Sequence, residues 1–310
     1  MAMLQITTGN SGPRLHVTGA MPRPALQKAL ERNPGPVTVL IHGYRYQPGH
    51  PIHCPHTSLN SLIPKHPNLN MVSLPANLQI GHSDGYGIGL SYGWFARGNI
   101  WQAYRRAGDA GTHLAQLLAM IKEIDPARDI HIVAHSLGAR VALRALSESA
   151  PGTVQRAVLM AAAEFRRAAI EALRSPGGYG CDVLHATSRE NDLFDFILER
   201  LISAPEGGDI MLGHRLFHLP NLAHLQLDHI PVLNALSANG YPVAAPEHTV
   251  CHWSPYRRQG VFPLYRAFLN GDLTISELHH ILPPDMAPRW SRLREKTQQR
   301  LSARRYFITR

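Results

Sequence analysis

One serine stands in a sequence pattern that presents a hydroxyl for nucleophilic attack. The segment IHIVAHSLGARVALRAL, residues 130–146, passes from a short apolar stretch through a turn at Ser136 into a segment rich in Ala and Leu. In the frame AHSLG, the small residues Ala134 and Gly138 let a strand and a helix pack closely around a sharp turn. The segment therefore predicts a strand, a turn that carries a nucleophile, and a helix. A serine that caps an ordinary helix is the alternative.

From these residues the chain resembles the α/β-hydrolase superfamily, particularly its lipase- and esterase-like members. In these proteins the sharp strand–turn–helix that carries the serine, the nucleophile elbow, frequently has a sequence of the AHSLGA type. The resemblance covers roughly residues 37–270, where motifs and predicted elements follow one another in the order typical of the superfamily. It implies a Ser-His-Asp triad that cleaves a carboxylic ester or a related acyl bond through an acyl-enzyme, without a cofactor. The substrate is expected to be a small acyl compound, and the resemblance does not identify it.

The resemblance places the acid of the triad after the strand that follows the elbow unit. A strand predicted over residues 182–186 runs into the loop 187–192, so Asp192 is the expected acid. Glu190 and Asp195 are nearby alternatives. Asp192 also suits a second role, as the cap of the helix that follows it.

The base must be chosen among 19 histidines, so position decides. His252 lies in a loop, HWSPY, that leads into an amphipathic helix, and this context resembles the lipase-like arrangement of the catalytic histidine. His229 is the main alternative because it directly follows a candidate last strand, LAHLQLD. His248 and His224 are further alternatives.

Two backbone N–H groups are needed to stabilise the oxyanion of a tetrahedral intermediate. The resemblance assigns one to Leu137, directly after the nucleophile, and the other to Tyr44. The apolar strand VTVLI runs into His42 and Gly43, which look like the His-Gly oxyanion loop of the family. The glycine lets the backbone approach the reacting carbonyl group.

The elements that must position these residues alternate between strands and helices. This alternation predicts an α/β fold with a mainly parallel sheet, helices on both faces and an N-terminal hairpin. Ligands then bind at the carboxyl ends of the strands. The predicted strands cover 4–8, 14–18, 37–42, 70–74, 130–133, 154–160, 182–186 and 222–230, and the predicted helices cover 24–32, 100–124, 164–173, 193–202 and 231–240.

The net charge of +9 is concentrated at the C-terminus. Residues 289–310 hold eight basic side chains and one acidic residue, Glu295, so we expect one domain over residues 1–288 followed by a basic tail. The tail is suited to weak contact with anionic surfaces, whereas no motif indicates nucleic-acid binding. Three cysteines at unrelated spacings, with no leader or membrane-spanning stretch, favour a cytoplasmic location. The oligomeric state stays open.

Two further clusters carry weaker signals. His50, His53, Cys54 and His56 are possible zinc ligands, but their spacing matches no common zinc site, and no metal is expected. Aromatic side chains before the elbow fit a substrate pocket and core packing equally well: Tyr86, Tyr92, Trp94, Phe95, Trp101 and Tyr104. A non-catalytic scaffold that binds a partner through this aromatic loop and the basic tail is the alternative function.

Overall fold

The computed structural model describes residues 3–9, 11–65, 72–81, 87–214 and 217–289. Within these ranges the chain forms an eight-stranded β-sheet with α-helices on both faces. The strands are β1 (Met3–Gly9), β2 (Gly12–Leu15), β3 (Val37–Ile41), β4 (Ile88–Gly93), β5 (Ile130–His135), β6 (Arg156–Met160), β7 (Asp182–Thr187) and β8 (Leu222–Gln226). The helices are α1 (Arg23–Arg32), α2 (Leu74–Asn77), α3 (Ile100–Ile124), α4 (Leu137–Glu148), α5 (Arg166–Arg174), α6 (Pro176–Tyr179), α7 (Asp192–Leu201), α8 (Ile230–Ala238), α9 (Ser254–Arg257), α10 (Val261–Asn270) and α11 (Ile275–Ile281).

The strands lie in the order β2-β1-β4-β3-β5-β6-β7-β8. β1 and β2 form the expected antiparallel hairpin, and all the other neighbouring strands are parallel. The predicted α/β class, with a mainly parallel sheet, is therefore confirmed. Because parallel strands end at the same edge, the loops after β3, β5, β7 and β8 all leave the sheet on one side.

The sheet separates two apolar cores because side chains alternate between its faces. In β5, Ile130 and Ile132 pack with α1, α3, α4 and α5 on one face, whereas Val133 packs with α8 and α10 on the other. Helices cover both faces, so the central strands are buried on both faces and do not alternate between apolar and exposed polar residues. All six residues of β5 are buried, which fixes the strand that leads to Ser136.

Most predicted elements are confirmed with small shifts at their ends, but the region between β3 and α3 differs. The strand predicted over residues 70–74 is wrong at its described end, where Leu74 begins α2; residues 70 and 71 lie outside the described ranges. The strand in this region is β4, within the glycine-rich segment, where the sequence predicted a loop. A Cβ at Gly89 would lie 2.1 Å from the sulfur of Met3, so glycine allows the close approach of β1.

The C-terminal boundary also differs from the prediction. Arg289, assigned to the basic tail, is buried and donates hydrogen bonds to the carbonyl oxygen of Gly213 and the hydroxyl of Thr187. It therefore belongs to the folded body, and the other basic residues of the tail lie outside the described ranges. In the described part of the chain, no helix is both long and apolar enough to cross a membrane.

Candidate active site

Ser136 occupies the turn between β5 and α4. Its backbone has φ 56° and ψ −126°, a conformation that residues other than glycine rarely adopt and that costs about 1–3 kcal/mol. Three backbone hydrogen bonds hold it: its N–H donates to the carbonyl of Met160 at 3.0 Å, and its carbonyl accepts from the N–H groups of Ala139 at 2.9 Å and Ala163 at 3.1 Å. The turn has the sharp geometry that the sequence predicts for a serine nucleophile.

Gly138 allows the first turn of α4 to start against the end of β3. A Cβ at this position would lie 2.7 Å from the carbonyl oxygens of both Ile41 and His42, so no larger side chain fits. The N–H groups in the first turn of a helix have no acceptor within the helix. Leu137, the first residue of α4, therefore lies at the same edge of the sheet as the loop after β3.

The loop after β3 reaches Ser136 through Gly43. A Cβ at Gly43 would lie 2.7 Å from Cβ of Ser136 and 3.3 Å from its Oγ. Glycine is thus required for the backbone to pass this close to the serine. Tyr44 comes next, and its hydroxyl is held by a 2.6 Å hydrogen bond to the carbonyl of Gly98. The structure therefore brings the loop that carries Tyr44 beside Ser136.

The side chain of His42 holds this loop in place through hydrogen bonds. The backbone N–H of Trp94 donates to Nε2 of His42 at 3.1 Å, and Nδ1 lies 2.9 Å from the carbonyl oxygen of Gly43. The indole of Trp94 donates to the carbonyl of His42 at 3.0 Å and stacks on its ring. Burial lowers the pKa of His42 to about 4. The neutral ring therefore has a structural role, in which both of its nitrogens are engaged in polar contacts with the backbone.

His252 packs directly against the elbow. Its ring centroid lies 4.7 Å from that of His135, the residue before Ser136, and 4.7 Å from that of Phe194. Nε2 of His135 lies 3.1 Å from the carbonyl oxygen of His252 and donates to it. Burial lowers the pKa of His252 well below its usual range, and the nearby ring of His135 lowers it further. The ring is therefore neutral near pH 7, as a general base must be.

The loop that carries His252 is tied to the loop after β7. The N–H of Cys251 donates to the carbonyl of Glu190 at 2.9 Å. The carboxylate of Glu190, an alternative acid in the sequence analysis, forms a buried ion pair with Arg258 and accepts a hydrogen bond from Ser188. Arg258 also donates to the carbonyl of Leu227. Glu190 thus holds two loops together and is committed to Arg258.

The other candidate bases lie elsewhere in the fold. His229 is the residue before α8, in the loop after β8, and its side chain makes no capping hydrogen bond. Because β8 is three strands from β5, that strand end is about 14 Å from the elbow. His224 pairs with His185 at 3.1 Å between their Nδ1 atoms, and His248 is exposed. Of these four described histidines, His252 is the one whose ring packs against the elbow.

The side chain that meets His252 from the loop after β7 is an amide. Oδ1 of Asn191 lies 2.5 Å from Nδ1 of His252. Asp192, the expected acid, has a carboxylate oxygen 3.4 Å from Nε2 of His214. Neighbouring residues of a helix point about 100° apart, so this shift of one residue turns Asp192 toward the buried side of α7. Asn191 is not evident from the sequence, because the resemblance leads one to expect a carboxylate at this position.

A buried network of charges lies behind Asn191. His214 is placed between Asp192 and Glu199, whose carboxylates overcome the effect of burial and raise its pKa to about 9. Burial raises the pKa of Asp195 to about 6, although Arg289 and His214 limit the rise. Asp195 is one of the alternative acids considered above, and it contacts Asn191, the residue that meets His252.

The histidine-rich segment has a structural explanation. Nδ1 of His56 lies 2.7 Å from the hydroxyl of Ser91, and its Nε2 lies 2.9 Å from that of Thr7. Burial lowers the pKa of His56 to about 2. Neither ring nitrogen points to open space. Across the described ranges, no three or more His, Cys, Asp or Glu side chains are arranged so that they could hold a metal ion.

The aromatic residues before the elbow divide between core and surface. Tyr92, Trp94 and Tyr104 are buried, and the hydroxyl of Tyr104 donates to Glu164 at 2.7 Å. Phe95 and Trp101 are exposed, and Tyr86 lies outside the described ranges. Core packing therefore explains the three buried members. The indole of Trp101 donates to the last carbonyl of α7, at Leu201.

Comparison with known proteins does not add a family to this geometry. No protein-family model matches the chain, and no curated protein is significantly similar to it. The function is therefore inferred from the arrangement of the site alone.

Proposed function

We propose that this protein is a serine hydrolase of the α/β-hydrolase type that cleaves a carboxylic ester or a related acyl bond. The observation that carries the proposal is the convergence of two loops on one strained serine. Gly43 approaches Ser136 from the loop after β3, and His252 packs on the neighbouring residue from the loop before α9. A nucleophile, a neutral base and a glycine-bearing oxyanion loop are the groups that acyl transfer needs.

The proposed reaction has two halves. Oγ of Ser136 attacks the substrate carbonyl while Nε2 of His252 removes its proton, and the N–H groups of Leu137 and Tyr44 stabilise the oxyanion. Nδ1–H of His252 meanwhile stays hydrogen-bonded to Asn191. The imidazolium returns the proton to the leaving alcohol, which leaves an ester on Ser136. Water, activated by the same imidazole, then releases the acid and restores the serine.

The order of the parts along the chain supports the α/β-hydrolase type. The oxyanion loop follows β3, the nucleophile follows β5, the orienting residue follows β7 and the base comes after β8. This order, nucleophile then orienting residue then histidine, is that of the superfamily. The departure is that Asn191 stands where the superfamily has a carboxylate. A neutral amide orients an imidazole in papain-like enzymes, so the substitution is compatible with catalysis.

The surface beside His252 favours an apolar substrate. Phe194 contacts the ring of His252, and Leu193, Ile197 and Leu201 extend the exposed apolar face along α7. The eight-residue separation from Leu193 to Leu201 corresponds to about 12 Å of helix. An acyl or alcohol chain lying on this face would bury carbon against carbon while its ester group reaches Ser136. We therefore propose an ester with an aliphatic chain longer than acetyl.

The direct test compares hydrolysis of a series of p-nitrophenyl esters, from acetate to decanoate, by the wild type and single variants. Ser136→Ala and His252→Ala should each lower kcat by about 10⁶-fold, the loss typical when a catalytic serine or histidine is removed. His229→Ala is the matched control and should keep the wild-type rate. Full activity in Ser136→Ala would refute the proposal. A folded wild type inert toward every ester would favour the non-catalytic scaffold.

A further inference from the structure

The amide of Asn191 is held by a buried carboxylate on its far side. Its Nδ2 donates to Oδ1 of Asp195, which lies four residues later in the first turn of α7, at 2.8 Å. Oδ2 of Asp195 lies 3.7 Å from the guanidinium of Arg289. Arg289 is itself fixed by Gly213 and Thr187. His252, Asn191, Asp195 and Arg289 therefore form a continuous chain of polar contacts.

The hydrogen-bonding rules of these groups leave one orientation for the amide. An ionised carboxylate only accepts hydrogen bonds, so Asn191 must turn its NH₂ group toward Asp195. Its Oδ1 then faces His252, and because Oδ1 only accepts, the proton of the imidazole must sit on Nδ1. The lone pair on Nε2 is left for the nucleophile. With the amide reversed, its NH₂ would donate to Nδ1 and place the proton on Nε2, where it blocks base catalysis.

The cost of the reversed arrangement is known from triads in general. Replacing the carboxylate of a serine protease triad by an amide keeps the geometry but lowers kcat by about 10⁴-fold, because the imidazole adopts the wrong tautomer. Here the amide is native, and it has a carboxylate behind it that prevents the reversal. The same negative charge polarises the amide and strengthens its bond to the imidazolium.

We propose that Asp195 is a positioning residue that fixes the orientation of Asn191 and, through it, the Nδ1–H tautomer of His252. The catalytic part of this inference rests on the proposed function, whereas the tautomer part does not. Asp195 touches neither substrate nor nucleophile, and it acts through the amide. Arg289, His214, Asp192 and Glu199 are the charged groups that face it.

The tautomer is measured without turnover, by ¹⁵N NMR of histidine-labelled Ser136→Ala protein near pH 8. The resonances of His252 are assigned by their loss on adding His252→Gln. We expect an Nδ1–H ring, and we expect Asp195→Leu to give a mixture or the Nε2–H form. An Nε2–H ring in the parent protein would overturn the inference. So would an unchanged Nδ1–H ring in folded Asp195→Leu.

The kinetic test exchanges the side chains of Asn191 and Asp195. Asp195→Leu alone is not sufficient for this test, because it removes the carboxylate that pairs with Arg289 and can prevent folding. Asn191→Asp alone places two carboxylates side by side, and Asp195→Asn alone frees the amide to reverse. Each single change should lower kcat by about 10²-fold or more, toward the 10⁴-fold limit, with KM nearly unchanged. The double variant restores every donor and acceptor and should recover most of this loss.

A folded double variant no more active than either single variant would contradict the inference. Asp272→Asn, an exposed carboxylate, is the matched control and should behave as wild type. The two readouts also separate the two proposals. An Nδ1–H ring that depends on Asp195, in a protein without esterase activity, would keep the positioning role and reject the proposed hydrolase.

Discussion

α4 and α7 both begin directly after a residue of the candidate site, but the side chains on their buried faces differ in polarity. α4 follows Ser136 and buries apolar side chains on its inner face, as an amphipathic helix normally does. α7 follows Asn191 and buries two carboxylates, Asp192 and Asp195. Its exposed side is apolar: Leu193, Phe194, Ile197 and Leu201 are 48%, 37%, 45% and 40% exposed.

The difference indicates what each helix contributes. The sequence of α4 is explained by the core alone. The inverted pattern of α7 is costly for a helix with only structural duties, because buried carboxylates require partners and exposed apolar surface gains nothing from folding. Its buried face supplies charge to Asn191, and its exposed face borders His252. α7 is therefore organised around the site more than around the core.

The largest expected effect comes from the conventional helix. Leu146→Ala on α4 removes a fully buried side chain and should lower the free energy of unfolding by about 2–5 kcal/mol. Ile197→Ala on α7 is the matched change on an exposed apolar residue and should alter it by less than about 0.5 kcal/mol. Urea denaturation followed by circular dichroism measures both. Equal losses would mean that the apolar face of α7 is buried in solution.

The second prediction concerns the apolar face of α7 as substrate surface. Replacing Leu193, Ile197 and Leu201 together by Ser should cost about 1–3 kcal/mol of selectivity, or roughly 10- to 100-fold in the ratio of kcat/KM for octanoate over acetate esters. The rate on acetate should change little, since a short chain does not reach along the helix. Val17→Ser, at an apolar residue that is 84% exposed, is the control. An unchanged ratio would remove α7 from the substrate site.

The smallest expected effect is a shift of the pH profile. The active form needs Asp195 ionised and His252 neutral. Because burial raises the pKa of Asp195 to about 6 and lowers that of His252, kcat/KM should fall as the pH drops through about 6. In Asp195→Asn this acid limb should move to lower pH, because only the lowered pKa of His252 is left to set it, on a reduced plateau. An acid limb that stays in place would assign it to another group.

The parts of the site that are local in sequence were predictable, and those that depend on distant contacts were not. The turn at Ser136 follows from a strand and a helix that are adjacent in the chain. The pairing of Asn191 with His252 depends on how α7 is rotated, which periodicity alone does not settle when the helix exposes its apolar face. Arg289, whose guanidinium pairs with the carboxylate of Asp195, comes from a segment that composition assigns to the tail.

The fold shows the same division. The alternation of apolar runs predicts the parallel sheet because each run is buried on both faces. β4 escaped prediction because glycines weaken strand propensity. The close neighbours that require them, Met3 at Gly89 and His56 at Gly93, come from remote parts of the chain.

The proposed function requires Ser136 to be an activated nucleophile. Reaction with a fluorophosphonate, followed by mass spectrometry of the peptides, tests it without knowledge of the substrate. The wild type should carry a single phosphonyl group on Ser136, and the label should disappear in Ser136→Ala and form far more slowly in His252→Gln. A folded wild-type protein that stays unlabelled, or that is labelled on another serine, would contradict it.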